Sequence, residues 1–166
     1  MPEETRPTPD GIARADWDRV HQLAVDIVNA SSMDDAQAGV RATRELLAVL
    51  DELEKRYGSL PSILATRADY LEDPRQQEQV LREAHRLAQS RQDQRNLVWI
   101  ASSLSALYVE VIRDQAQGQQ WLDTLAAHLR ISPDDWEAEE HARLQNLLTG
   151  AVEHEAAEQG DEADEA

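Results

Sequence analysis

The chain lacks cysteine and phenylalanine altogether, and it has few glycines and few aromatic residues of any kind. The absence of cysteine among its 166 residues excludes disulfides, thiolate metal sites and cysteine nucleophiles, and it is typical of a reducing compartment. Six glycines leave little material for a phosphate-binding loop, and no Gly-rich loop motif occurs. Tryptophan and tyrosine are therefore the only large aromatic side chains available to a core.

Long apolar runs are missing as well. None approaches the roughly 20 residues that span a bilayer. The N-terminal segment MPEETRPTPD has neither the basic start nor the apolar centre of a signal peptide. We therefore expect a cytoplasmic protein with no membrane partner.

Positive charge is scarce, and the excess of negative charge is unevenly placed. The net charge is −17, and residues 134–166 contribute twelve acids against one base, Arg143. Residues 74–96 run the other way, with five arginines against three acids. Because an acidic chain repels phosphates, we do not expect sequence-independent binding of nucleic acid.

Apolar residues recur at helical spacing between segments that Pro, Gly and Asp delimit. The stretch 97–112 follows the i, i+3, i+4, i+7 rule over four turns, so this helix is expected to be the most buried. We predict an all-α fold with helices over about 14–30, 36–57, 60–72, 74–91, 94–113 and 117–130, and a seventh that ends near 150.

Several residues predict where these helices begin, where they end and which faces they bury. Ser59, Asp73-Pro74 and the segment 132–135 are expected to start helices, and Gly58 to end one. Val28, Val40 and the four tryptophans are assigned to inner faces. Residues 1–9 and 153–166 bury too little apolar surface to order themselves and are predicted to be disordered, which leaves one helical domain over 10–152.

Two segments alternate small and large apolar residues in the manner of a helical hairpin. The first reads ILATRADYLEDPRQQEQVLREAHRLAQSRQD, and the second reads NLVWIASSLSALYVEVIRDQAQGQQWLDTLAAHLRISPDD. Together, over about 60–135, they resemble tetratricopeptide repeats, although Ala65 stands where that family has Gly and the spacing exceeds its 34 residues. The resemblance implies stacked antiparallel hairpins whose groove binds a peptide or helix. A closed helical bundle is the alternative.

Candidate binding residues lie on the arginine-rich helix and on the helix after it. Arg75, Arg82 and Arg86 are spaced by seven and four residues, so they share one helix face and suit a partner with carboxylates. Trp99 departs from the main apolar stripe of its helix and is a candidate anchor for a partner side chain. The function expected first is a non-enzymatic interaction module that binds a partner peptide or helix, with no metal or cofactor.

Two further functions stay open. One is an acidic inhibitor, such as an immunity protein or nucleic-acid mimic, that neutralises a basic partner through its charged C-terminal part. The other is an enzyme resembling helical ribonucleases, in which Arg14 and His21, two turns apart on one helix, would form the catalytic pair. A carboxylate metal site is not expected, because the sequence contains no Glu-x-x-His pair.

Overall fold

The computed structural model describes the backbone of residues 8–161 and the side chains of residues 8–150. Over this range the chain forms seven α-helices and no strand, which confirms the all-α prediction. A six-residue π-helical segment, Leu107–Ile112, continues the fifth helix. The helices are α1 Arg14–Ser32, α2 Ala36–Tyr57, α3 Pro61–Asp69, α4 Pro74–Arg91, α5 Gln94–Ala106, α6 Gln115–Ile131 and α7 Asp135–Asp161.

The chain divides into two compact units, Met1–Asn96 and Leu97–Ala166, called unit 1 and unit 2. In unit 1, α1 packs against α2 and α3 packs against α4, so these four helices form two hairpins, and α2 also contacts α3. The prediction that residues 10–152 form one domain stays a prediction. The core of unit 1 is built from Ile12, Val20, Leu23, Leu46, Val49, Leu50, Leu53, Leu60 and Ile63.

Aspartate side chains cap the N-terminal turns of four of the helices. A carboxylate before the first turn accepts a hydrogen bond from an amide that has no partner within the helix. The bonds run from the amides of Ala38, Arg75, Gln117 and Glu137 to Asp35, Asp73, Asp114 and Asp134, at 2.9, 2.9, 3.0 and 3.1 Å. The predicted helix starts at Asp73 and within the segment 132–135 are thus confirmed, with Asp134 as the capping residue of the latter. Gly58 follows the end of α2 with φ +83°, as expected of a glycine stop.

The start of α3 corrects the prediction that Ser59 caps it. The Ser59 hydroxyl donates instead to the Glu54 carboxylate at 2.7 Å. The carboxylate that serves α3 belongs to Asp10, which accepts from the Ser62 amide at 2.7 Å across 52 positions of sequence. Asp10 is held in place by a bond from the Thr8 hydroxyl at 2.6 Å. The N-terminal turn therefore closes the start of α3.

Three residues assigned to inner faces are in fact exposed. Val28 and Val40 are 63% and 58% exposed, and Trp136 is 77% exposed. In addition, α3 ends at Asp69, before the end predicted near residue 72. An amphipathic pattern identifies the apolar face of a helix, but it does not say whether a neighbouring helix covers that face.

Unit 2 contains most of α5, the π segment, α6 and α7. The strong burial expected of this helix is confirmed for α5, since Leu97, Val98, Ile100, Ala101 and Leu104 are all buried, but Val111 of the same predicted stripe is 56% exposed. α6 packs against both α7 and the π segment, around a core of Leu122, Leu144 and Leu148. Gly118 permits this close packing, because a Cβ at that position would meet Cγ2 of Val109 at 3.0 Å.

Secondary structure and hydrogen-bonded turns continue beyond the predicted bounds of the helical domain, 10–152, at both ends. Thr8 and Pro9, from the segment expected to be disordered, belong to the hydrogen-bonded N-terminal turn, and residues 1–7 lie outside the described residues. α7 continues past residue 150 and through 153–161 of the predicted disordered tail. Alanine and glutamate dominate this stretch, and both favour a helix. Residues 162–166 lie outside the described part of the chain.

Candidate functional site

The three arginines predicted to bind a partner lie on α4 and are bonded to carboxylates of the same helix. Glu78 accepts from Arg75 at 2.9 Å and from Arg82 at 3.0 Å, so one carboxylate bridges two guanidinium groups. Glu83 accepts two bonds from Arg86, at 2.8 and 2.5 Å. Hydrogen bonding to Arg86 lowers the pKa of the Glu83 carboxyl below its usual value. These contacts compensate much of the positive charge on which the predicted site depends.

The other predicted site residues are placed separately. Trp99 is half-buried on α5. Arg14 and His21 lie on α1, where the Arg14 guanidinium is 3.8 Å from the Asp18 carboxylate and His21 is exposed. Neither Arg14 nor His21 lines the two cavities described next. The roles predicted for these residues stay predictions.

The shortness of α3 leaves a groove in unit 1. α2 has 22 residues and α3 has nine, which correspond to lengths of about 33 and 14 Å at the helical rise. The end of α1 and the beginning of α2 therefore extend beyond the turn between α3 and α4. The groove at this place has a volume of about 660 Å³, within the range of ligand-sized sites. Glu72, in the α3–α4 turn, is one of its lining residues.

Much of the groove lining is apolar or small. Ile27 and Leu47 line it and are half-buried against the core of unit 1, whereas Val40 lines it and is mostly exposed. Gly39 also lines it, and a Cβ there would touch only the Cβ of Ala30, at 3.8 Å. This part of α2 thus presents apolar surface with open space above a glycine.

The charged part of the groove lining is mainly acidic. Asp34, Asp35 and Glu72 face one base, Arg44, which gives this lining a formal charge of −2. Asp35 caps α2 through the amide of Ala38. Among the described residues, Asp34, Arg44 and Glu72 make no hydrogen bond or ion pair through their side chains. Three charges of the groove are therefore available to a ligand.

Contacts outside the groove fix the helices that form it. Arg67 of α3 donates to Asp51 and to Glu54 of α2, each at 2.8 Å. Hydrogen bonding from Ser59 lowers the pKa of the Glu54 carboxyl, and the Arg67 guanidinium acts in the same direction.

The hairpin of α1 and α2 is fixed in a similar way. Asp16 of α1 accepts from the Tyr57 hydroxyl at 2.5 Å and from Arg56 at 2.7 Å. These bonds, that of Tyr57 foremost, lower the pKa of the Asp16 carboxyl. Since α1, α2 and α3 are joined by these bonds and by a common core, the groove is preformed.

Unit 2 contains a smaller cavity of about 470 Å³ beside the π segment. Its apolar lining comprises Tyr108, Val109, Leu147 and Leu148. π-helical turns are frequent at functional sites. Two charged residues, Glu110 and Arg113, also line the cavity, and Glu110 accepts from Arg143 at 2.8 Å.

The turn between α6 and α7 exposes two large apolar side chains that the sequence does not single out as a surface. Ile131 ends α6 and is 65% exposed, and Trp136 stands in the first turn of α7. Glu139 and Glu140 follow Trp136 by three and four residues, which places both carboxylates on its helix face. Burial raises the pKa of the nearby Glu137 carboxyl, and the charges of neighbouring acids add to that effect.

Metal and membrane sites find no support in the side chains that the structure describes. Within residues 8–150, no cluster of three or more His, Asp or Glu side chains is arranged to hold a metal ion. Over the same part of the chain, every helix is too short or too polar to cross a bilayer.

Comparison with known proteins gives no family for this chain. No family model, curated protein or solved structure matches it. The resemblance of residues 60–135 to tetratricopeptide repeats therefore stays a prediction.

Proposed function

We propose that the protein is a non-enzymatic interaction module that holds a partner peptide or helix in the groove beside α1 and α2. The observation that carries this proposal is an apolar groove, lined by the mostly exposed Val40, in a hairpin of α1 and α2 that ion pairs away from the groove hold together. Between residues 36 and 47, α2 lines the groove along about 17 Å. That length matches about three turns of a partner helix.

The energetics of such a contact are favourable at Val40. Burying a valine side chain contributes about 1.5–3 kcal/mol, and a few buried anchors usually dominate the energy of an interface. Because the groove is preformed, a partner would not have to order the helices that line it. The module therefore spends little of its binding energy on its own reorganisation.

Site-specific photo-crosslinking in the native host tests this proposal. A photoreactive phenylalanine analogue in place of Val40 is expected to form a covalent adduct with the bound partner. The same analogue in place of Gln89, an exposed residue of α4 far from the α3–α4 turn, is the matched control. A second substitution, Gly39→Leu, fills the groove and should remove the adduct seen at position 40.

Two results would contradict the proposal. One is equal crosslinking from positions 40 and 89, which would mean that the groove is not the contact surface. The other is an adduct at position 40 that survives Gly39→Leu, which would mean that the partner touches Val40 without entering the groove.

A second candidate function is the acidic inhibitor, which we propose acts through the α6–α7 turn. It is favoured by the exposed Trp136 with Glu139 on the same helix face, since a cation can contact the indole ring and a carboxylate together. Glu140, on the same face, is bonded to Arg143 at 2.8 and 2.6 Å. If this function holds, Trp136→Ala weakens partner binding while Val40→Ser does not. Binding measured against salt concentration should then fall steeply.

A further inference from the structure

We propose that the groove of unit 1 takes a basic amphipathic helix, with apolar side chains on α1 and α2 and Lys or Arg side chains facing Asp34 and Glu72. The inference rests on the proposed function and adds the chemistry of the occupant. It combines three observations on unit 1, namely the length of the groove, its apolar lining and its unpaired charges.

The apolar lining indicates how apolar residues are spaced along the occupant. Ile27 belongs to α1, and Val40 and Leu47 belong to α2, so the apolar side chains come from two antiparallel helices. A third helix packed on this pair presents apolar residues at spacings of three and four. About 11 residues of helix span the roughly 17 Å available.

The charges of the groove lining indicate the sign of the charge that the occupant carries. Asp34 and Glu72 have carboxylates with no partner in the part of the chain that the structure describes, and Asp35 adds a third negative charge. Arg44 supplies the one base of the lining. Lysine or arginine beside the apolar stripe of the occupant would therefore meet opposite charge, and the net charge of −17 would speed its approach.

The same charges weigh against two other occupants. A second copy of this chain would also carry −17, so its approach to an acidic groove would meet long-range repulsion. The chain's own segment 153–166 contains seven acids and no Lys or Arg, and it would meet the same repulsion. Both occupants are outcomes that the experiment can detect.

The experiment measures the binding of two designed peptides to the full chain by fluorescence anisotropy. Both peptides are labelled, have about 14 residues and carry leucines at helical spacings of three and four. Lysine fills the flanking positions of one peptide, and glutamate fills the same positions of the other. The lysine peptide is expected to bind, and the glutamate peptide is expected to bind at least about tenfold more weakly.

Paired variants separate groove binding from general attraction between a basic peptide and an acidic protein. Val40→Ser removes apolar surface without changing charge and should weaken the lysine peptide about tenfold. Asp34→Asn with Glu72→Gln should weaken it about fivefold, whereas Asp123→Asn with Asp135→Asn, at two exposed acids of unit 2, should have little effect.

A further variant removes a positive charge from the groove lining instead of a negative one. Arg44→Gln should strengthen binding of the lysine peptide a few-fold, because it removes the one base of the lining. Arg130→Gln makes the same change in net charge at an exposed position of unit 2 and serves as the control. Equal effects of Arg44→Gln and Arg130→Gln would overturn the inference.

The remaining outcomes are also decisive. Tighter binding of the glutamate peptide, sensitive to Val40→Ser, overturns the basic occupant but leaves the proposed groove function in place. Failure of both peptides, with a crosslinked partner at position 40, has the same meaning. A dimer detected by sedimentation and dissociated by Val40→Ser would assign the groove to a second copy of the chain. Peptide binding that tightens when residues 153–166 are deleted, but not when the acids of unit 2 are neutralised, would assign the groove to the chain's own C-terminal segment.

Discussion

Individual carboxylates in unit 1 divide between two tasks, and hydrogen bonding separates them. Asp10, Asp16 and Glu54 accept hydrogen bonds from other segments of the chain and join the N-terminal turn, α1, α2 and α3. Asp34 and Glu72 accept none among the described residues and line the groove. The first group therefore stabilises the unit, and the second group is available for recognition.

The capping role of Asp10 predicts the effect of removing its carboxylate. Asp10→Ala leaves the amide of Ser62 without its acceptor and should lower the free energy of unfolding by about 1 kcal/mol. Urea unfolding followed by circular dichroism measures the change. Asp18→Ala is the control, because among the described residues the Asp18 side chain makes just a long, exposed ion pair with Arg14, and its loss should cost less than about 0.5 kcal/mol. Equal losses for the two variants would contradict the capping role.

The lowered pKa of Glu54 predicts a dependence of stability on pH. Its carboxyl titrates near 4.5 when unperturbed and below that in the folded protein. Ionised Glu54 thus contributes stability that is present above about pH 4.5 and is lost as the pH falls through the folded pKa.

The measurement compares the wild type with Glu54→Gln at two pH values. At about pH 7 the wild type should be more stable, by less than about 1 kcal/mol because the ion pair with Arg67 is partly solvated. At about pH 3 the difference should shrink. A difference that stays constant, or that grows on acidification, would show that Glu54 gains nothing from its charge.

At the scale of helices, the local parts of the structure are the parts that the sequence predicts well. The cap at Asp73 and the helix start within 132–135 are predictable because the donor and acceptor of each capping bond lie within three residues of each other. The pairs of Glu78 with Arg82 and of Glu83 with Arg86 are equally local, and their spacing of four and three residues was a signal that the prediction of a partner site overlooked.

Contacts between distant segments were beyond prediction from a single sequence. The bond from Ser62 to Asp10 spans 52 positions, and no local pattern encodes it. The groove has a similar origin. Val40 belongs to an apolar stripe, which by itself predicts burial. Its exposure in the structure goes with the early end of α3 at Asp69, which the stripe does not encode. The helix-terminating residues Gly58 and Pro74, which lie close together in the sequence, are the local signal that α3 is short.

Gly39 gives a prediction about α2 as an element. Glycine within a helix is less favourable than alanine by up to about 1 kcal/mol, and Gly39 is the fourth residue of α2. A Cβ at this position would make only an ordinary contact with Ala30. Gly39→Ala should therefore raise the free energy of unfolding by about 0.5–1 kcal/mol, measured by urea unfolding. A loss of stability would show that the space beside Gly39 is already filled.

At the scale of the whole molecule, an excess of negative charge is combined with two fixed sets of helices. Unit 1 offers a preformed apolar groove with unpaired acids, and unit 2 offers an exposed tryptophan beside acids. Both surfaces are suited to a basic partner, although only the groove has the dimensions of a helix. The proposed function therefore depends on occupancy of the groove by a partner.

Methyl-resolved NMR of the full chain measures that occupancy most directly. Isotope-labelled methyl groups of Ile27, Val40 and Leu47 report on the groove, and those of Val111 and Leu147 report on exposed apolar sites of unit 2. Titration with the lysine peptide should give saturable shifts at the first three residues and none at the other two. Shifts confined to unit 2, or spread equally over both sets, would contradict the account.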